Sequence, residues 1–383
     1  MTAVTPSDLA GLAVPVEKLR AHAGEVDREA RFPDESLAAL REAGLLGLGL
    51  PERVGGPGGG AGEIARAIAE VAGACGSTAM VYTMHVVAAR TLLATTPEED
   101  GPKADALRAI AAGEHLTTIA FSERGSRSHF WAQVSRAVPD DDGVRIDADK
   151  SWVTAAREAD SYVTAVGAAG STNPLATELY LLDARAPGIE VEGPFDGLGM
   201  RGNGSSPVRL RGVRAGVERR LGEPGGGFGV MLEATLPWFV LGCGACCVGL
   251  AGAALELAAA HATSARLEHE DQALADLPTI RARLGQAKVR HEQARAYLEE
   301  TARRLDGGDP AAQLSVLGLK AACAEMAIDV TDAAMRACGG AAYSRHLPLE
   351  RIFRDARAAA VMAPTTDILV DLLGRSLTGR PLF

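Results

Sequence analysis

The sequence predicts an α+β chain in three parts, helical at both ends and β-rich between, with boundaries at residues 1–115, 116–222 and 223–383. Three observations carry this reading. Aromatic residues make up only 4% while Ala and Gly abound, and small side chains favour close helix packing over a β-sandwich. Apolar residues in the outer thirds recur at helical spacing behind start signals such as Pro33-Asp34-Glu35-Ser36. Between residues 116 and 222 the pattern changes to short β-prone runs separated by Gly, Pro and Asp.

Taken in order, residues 5–43 read as helices, opened by Pro6-Ser7-Asp8 and again by Pro33-Asp34. Leu50-Pro51-Glu52-Arg53-Val54-Gly55-Gly56 is a turn. The Gly-rich run 55–60 lacks both a preceding strand and a following Gly-Lys-Ser/Thr, so it is not a phosphate loop. Residues 61–93 continue as helix, interrupted at Cys75-Gly76-Ser77-Thr78. His85 falls four residues after Val81, on one helical face. Residues 98–102 are a loop, and 105–112 a helix closed by Gly113. Strands are expected over 116–122, 144–147, 161–166, 179–182 and 208–210. Residues 232–305 then give two long helices broken near 273–278, and 311–337 another. The turn Ala363-Pro364-Thr365-Thr366 opens a last amphipathic helix.

Composition bounds the function. A length of 383 residues suffices for two or three domains around a large core, and 47% apolar with 23% charged residues is ordinary for a soluble chain. The net charge is -10 with no basic run, so no nucleic-acid partner is expected. Cys243-x-x-Cys246-Cys247 has no second Cys/His pair at zinc spacing and lies among Gly, Ala, Val and Leu. It reads as buried reduced thiols, with no metal. Residues 234–255 are uncharged and long enough to cross a bilayer, yet they are Gly/Ala/Cys-rich and flanked by Glu233 and Glu256. They read as a buried bundle helix. No basic and apolar leader is present, so a cytoplasmic location is expected.

Several motifs recur in an order that resembles the acyl-CoA dehydrogenase superfamily. Phe121-Ser122-Glu123-Arg124-Gly125-Ser126-Arg127-Ser128 resembles that family's Thr/Ser-Glu-Pro-x-x-Gly-Ser loop along the flavin. Trp152-Val153-Thr154, 24 residues after Ser128, resembles its Trp-Ile-Thr/Ser strand on the flavin ring. Gly225-Gly226-Gly227-Phe228, Cys338-Gly339-Gly340, Pro348-Leu349-Glu350-Arg351 and Arg354-Asp355-Ala356 resemble its later signatures. The resemblance implies an acyl-CoA dehydrogenase-like fold: an N-terminal helical domain, a central β-barrel-like domain and a C-terminal four-helix bundle. It implies FAD as cofactor, held by Phe121, Ser122, Ser128, Trp152, Val153, Thr154 and Thr365. Arg266, Arg336, Gly339 and Gly340 are implied to reach the flavin phosphates of a neighbouring subunit, hence a homo-oligomer. At Arg266 the family's following Phe and Gly are lost, and Arg336 stands where a Gln is usual; that Arg could equally cap a helix end.

The residues themselves are suited to a flavin. A flat ring needs an aromatic or β-branched wall, which Trp152 and Val153 offer, and its polar edge needs hydroxyls, which Ser122 and Thr154 offer. The family's proton-abstracting Glu, however, aligns with Ala363, and its alternative position aligns with Phe239. Asp367, one helical turn past Ala363, is the candidate replacement base, with a helix-dipole role as its alternative. His85 is a core or interface residue, or else the flavin-facing His of a monooxygenase on this fold.

Three activities stay open. One is a dehydrogenase or desaturase of an acyl thioester, carried on coenzyme A or an acyl carrier protein, with electron-transfer flavoprotein as partner. The second is a reduced-flavin monooxygenase served by a flavin reductase. The third is a non-redox flavin-binding protein or lyase.

Overall fold

The computed structural model describes residues 11–383 apart from 98, 99, 174, 194 and 195. The start signal Pro6-Ser7-Asp8 and the loop residues Glu98 and Glu99 lie outside the described residues.

Five helices come first: α1 (Val16–Glu29), α2 (Asp34–Glu42), α3 (Ala61–Ala74), α4 (Gly76–Ala94) and α5 (Pro102–Ala111). Cys75 is extended, and this single residue separates α3 from α4. The Gly-rich run before α3 holds no open anion cradle. Asp306, at the far end of the chain's α8 (Pro278–Asp306), accepts the Ala61 and Gly62 N–H groups at 2.6 and 3.2 Å. Helix α4 carries apolar or small side chains on every side, and nearly all of it is buried.

Eight strands follow: β1 (Thr117–Ala120), β2 (Ala137–Asp140), β3 (Gly143–Val153), β4 (Ser161–Gly167), β5 (Thr177–Asp183), β6 (Ile189–Val191), β7 (Ser206–Gly216) and β8 (Arg220–Leu221). They form two four-stranded sheets, ordered β1-β4-β5-β8 and β2-β3-β7-β6. Among the described strands, only β1 and β4 pair in parallel. The sheets pack face to face over Tyr162, Val166, Tyr180 and Leu182 from one and Ile146, Val208, Leu210 and Val213 from the other. The expected β domain is thus built as two packed four-stranded sheets, with no closed barrel among the described residues. Among the described residues, the isolated bridges Glu123–Lys150 and Arg136–Gly167 join one sheet to the other, too few to close a ladder. Strand β2 escaped the sequence pattern because it contains Pro139. It is an edge strand, where the missing N–H costs no ladder bond.

The C-terminal part opens with α6 (Gly227–Val230) and a π-helical turn (Met231–Thr235), then runs into α7 (Leu236–Ser264). The break before α8 is longer than its sequence suggested. It holds a hairpin of β9 (Arg266–Leu267) and β10 (Gln272–Ala273). Helix α9 (Ala312–Cys338) packs on α7, α8 and α13 (Thr366–Leu377), with the short α10 (Gly340–Tyr343), α11 (Leu349–Asp355) and α12 (Ala358–Val361) between α9 and α13. The membrane-length helix is α7, and it is packed inside this bundle. A Cβ at Gly249 would stand 2.1 Å from the Ala69 carbonyl, so α7 and α3 approach closely only because this residue is glycine. Its three thiols and Cys323 facing them illustrate the core: Cys243 and Cys246 are pushed by burial up to about 11 and about 12.

The Arg354-Asp355 pair binds the three parts together. The Arg354 guanidinium donates to both oxygens of Asp27 on α1, at 2.9 and 2.6 Å, and to the Leu198 carbonyl at 3.0 Å. Asp355 accepts the Met200 N–H at 2.5 Å. Its burial raises its carboxyl to about 6.

Candidate active site

A cleft of about 710 Å³ opens where the three parts meet. Its walls are the loop after β1, the end of β3, the segment before β7, the π-helical turn and the 358–364 turn. Phe121, Ser122, Ser128, Trp152 and Thr154 all line it, from segments far apart in sequence. Ala363 and Phe239, the two positions matched to the family's carboxylate, also line it.

Trp152 is displayed by a β-bulge. Pairing steps from Lys150–Val208 to Val153–Ser206, which leaves one extra residue on β3, and Trp152 adopts φ 58°. The bulge breaks strand alternation and leaves the indole 63% exposed on the cleft wall. An apolar ring held open to solvent is suited to stacking on a flat ligand. The neighbouring Thr154 hydroxyl is 3.2 Å from that of Ser205, another cleft residue. The same bulge turns the Val153 side chain into the core between the sheets, where it is 1% exposed and outside the cleft lining. Phe121 is 5% exposed, with its ring parallel to that of Phe130 at 6.4 Å between centroids, and braces the loop.

Both proposed catalytic residues lie elsewhere. His85 is fully buried in α4 and absent from the cleft lining. Its Nε2 lies 2.9 Å from the Leu46 carbonyl, and its Nδ1 accepts the Thr117 N–H at 3.2 Å. Those partners make Nε2 the protonated nitrogen of a neutral ring. Burial pushes its pKa down to about 4. Asp367 sits exposed in the first turn of α13, outside the cleft lining, where its charge suits the helix dipole. Neither residue lines the cleft.

Among the described residues, the only carboxylate lining the cleft is Glu123, and it is fully engaged. It receives the Lys150 ammonium at 2.7 Å, the Val134 and Ser135 N–H groups at 2.6 and 2.7 Å, and the Ser135 hydroxyl. Burial would raise its pKa, but the Lys150 charge and these hydrogen bonds hold it below the usual carboxylate range. It is a structural anion, not a base.

Sequence reasoning missed the support of the Ala363 turn. Lys320 on α9 is fully buried, and its ammonium donates to the Ala359, Met362 and Pro364 carbonyls at 2.7, 2.9 and 2.7 Å. Three donors meet three acceptors, so the turn bordering the cleft is held from behind. A lone Lys in an otherwise apolar helix stretch was the available signal. Arg124 and Arg127 in the cleft wall were passed over as well, although both replace residues of the family loop.

The cross-subunit candidates stay outside the cleft. Arg266 is exposed in the β9–β10 hairpin and pairs with Asp271 at 2.5 Å. Arg336, Gly339 and Gly340 lie exposed at the end of α9, with Asp332 3.9 Å from Arg336. Thr365 precedes α13 as its N-cap residue, half-buried and outside the lining.

Comparison with known proteins agrees across the whole chain. The acyl-CoA dehydrogenase N-terminal, middle and C-terminal domain families match residues 14–114, 118–213 and 225–378. Probable acyl-CoA dehydrogenase YngJ of Bacillus subtilis is 28% identical over 94% of each chain. Butyryl-CoA dehydrogenase from Megasphaera elsdenii superposes with a TM-score of 0.92 over 99% of this chain and all of that one, at 23% identity. The prolyl acyl carrier protein oxidase AnaB superposes with a TM-score of 0.86 over 94% of this chain and 97% of its own, at 22% identity. The three consecutive domain matches, and the cleft built where those domains meet, establish that the chain belongs to the acyl-CoA dehydrogenase family of FAD-dependent oxidoreductases.

Proposed function

We propose that the protein oxidises or oxygenates an acyl group carried as a thioester, on coenzyme A or an acyl carrier protein, without a carboxylate from either of the family's two positions. The observation that supports this is the lining of the cleft: Ser122, Ser128, Trp152 and Thr154 line it together with Ala363 and Phe239, the positions aligned with the family's base, and Glu123 is engaged by Lys150. FAD, when bound, supplies two-electron chemistry at a flat ring. Trp152 offers that ring a wall, Ser122 and Thr154 offer its edge hydroxyls, and Ser128 lies further along the same loop. Lys320 keeps the 359–364 turn in place opposite them. Gly339, Gly340 and Arg336 are exposed, which supports the reading that they serve a neighbouring subunit of a homo-oligomer.

Two modes fit this cleft. A dehydrogenase would pass its electrons to electron-transfer flavoprotein and needs a base from outside the described lining. A reduced-flavin monooxygenase would draw on a flavin reductase and needs no carboxylate here, and the absence of a free base from the lining favours it. The AnaB relative supports a carrier-protein thioester in either mode. A cytoplasmic setting suits both electron partners. The deciding experiment loads the protein with FAD and adds a panel of acyl-CoA and acyl-carrier thioesters anaerobically. Bleaching of the flavin identifies a dehydrogenase. No bleaching, with oxygen-dependent product formation from reduced flavin, identifies the monooxygenase. Neither response with any thioester would overturn the proposal and leave a non-redox protein or lyase.

A further inference from the structure

We infer that Arg124 and Arg127 form a diphosphate-binding site on the cleft wall, for the diphosphate carried by FAD or by coenzyme A. The inference rests on the proposed flavin and thioester reading of the cleft. Both arginines are exposed and line the cleft. Neither guanidinium has an ion pair or hydrogen bond among the described residues, whereas most other arginines of the chain do. The chain carries a net charge of -10, yet among the described residues the only carboxylate in the lining is taken up by Lys150. This wall of the cleft is therefore locally cationic and uncompensated, which draws in an anion.

The backbone adds an independent mark. Arg127 adopts φ 48°, the left-handed region that glycine enters freely and other L-residues avoid. Glycine would sit there without strain, so an arginine held there points to a use for its side chain. Ser122 and Ser128 line the cleft from the same loop and can donate to phosphate oxygens beside the guanidinium groups. Two cations match the two charges of a diphosphate better than the one charge of a carboxylate. Arg266, whose implied phosphate role is toward a neighbouring subunit, pairs with Asp271 outside this chain's cleft, so within that cleft the loop pair supplies the charge.

The test is ligand binding by the full chain, free of flavin and refilled. FAD, FMN, riboflavin, coenzyme A and pantetheine are titrated into native protein, Arg124→Gln, Arg127→Gly and Arg127→Lys. Arg127→Gly suits the local backbone and folds without strain, and circular dichroism checks this. If FAD is the ligand, its Kd weakens about tenfold or more in Arg124→Gln and Arg127→Gly, since a charge-assisted bond is lost. Arg127→Lys recovers part of that loss, riboflavin is unmoved, and native FAD binding weakens with salt. If coenzyme A is the ligand, its Kd moves by a similar factor while FAD and pantetheine stay constant. Equal affinity of native and variant proteins for both FAD and coenzyme A overturns the inference while leaving the proposed function intact. Equal weakening of riboflavin or pantetheine overturns it too, as a mere distortion of the loop. Native protein that binds no flavin at all overturns the proposed function instead, and the coenzyme A arm then decides the arginine pair alone.

Discussion

Replacing His85 by Gln tests whether this histidine is a buried support or a reacting group. In the folded chain His85 is fully buried, bonded through both nitrogens, and depressed from an ordinary 6.5 to about 4. The folded state therefore holds the neutral ring. The sign follows from that depression. Above pH 6.5 the ring is neutral in both states, so its contribution to stability is complete. As pH falls below 6.5 the unfolded chain takes up a proton that the folded chain refuses until about pH 4, and stability is lost across that window. The full loss amounts to about 3 kcal/mol. Gln can keep a hydrogen bond to Leu46 but does not titrate. Native protein and His85→Gln are unfolded in urea from pH 8 to pH 4, and the difference in unfolding free energy is plotted against pH. At pH 8 the variant is the less stable by about 1–2 kcal/mol. That gap closes and then reverses toward pH 4. A pH-independent gap would refute the depressed, neutral histidine. So would loss of flavin-dependent turnover in a variant of unchanged stability and unchanged flavin affinity.

Three further perturbations probe the cleft. Glu123→Gln strands the buried Lys150 charge and is expected to lower stability by about 3–5 kcal/mol in urea unfolding. A stable variant that loses turnover alone would make Glu123 the base after all. Lys320→Met leaves three carbonyls of the Ala363 turn without a donor and should cost about 2–4 kcal/mol. It should also loosen that turn, read as faster amide exchange over residues 359–366, and unchanged exchange there would remove Lys320 as the anchor. Ala363→Glu combined with Pro364→Gly restores the family's carboxylate on a cleft-lining turn, where burial raises its pKa toward the working range. Anaerobic bleaching of FAD by acyl-CoAs should then rise about 100-fold over native protein. No rise, with the variant folded and flavin-loaded, would show that the cleft lacks room for a thioester beside this turn.

Much of this protein was legible in its sequence. The helix–strand–helix order, the break at Cys75, the buried character of α7 and the segments that meet at the cleft all follow from local spacing, caps and runs of small residues, which act over a few neighbours. So did the lack of an ionisable side chain at Ala363 and Phe239, which is a matter of residue identity alone. What the sequence left undetermined depends on which side chains face each other across the fold. Val153 and Trp152 are adjacent in the chain, and only the bulge opposite β7 decides that one fills the core and the other walls the cleft. Asp367 keeps the spacing of a base one turn from Ala363, but the packing of α13 on α9 points it to solvent. His85 was compatible with a flavin face until Leu46 and Thr117, from segments 39 and 32 residues away, closed on both its nitrogens. Glu123 becomes structural, and Arg124 and Arg127 stay uncompensated, because Lys150 arrives from another strand to neutralise the one carboxylate on that wall. Charge pairing and burial are properties of three-dimensional neighbours, and these sites were settled by them.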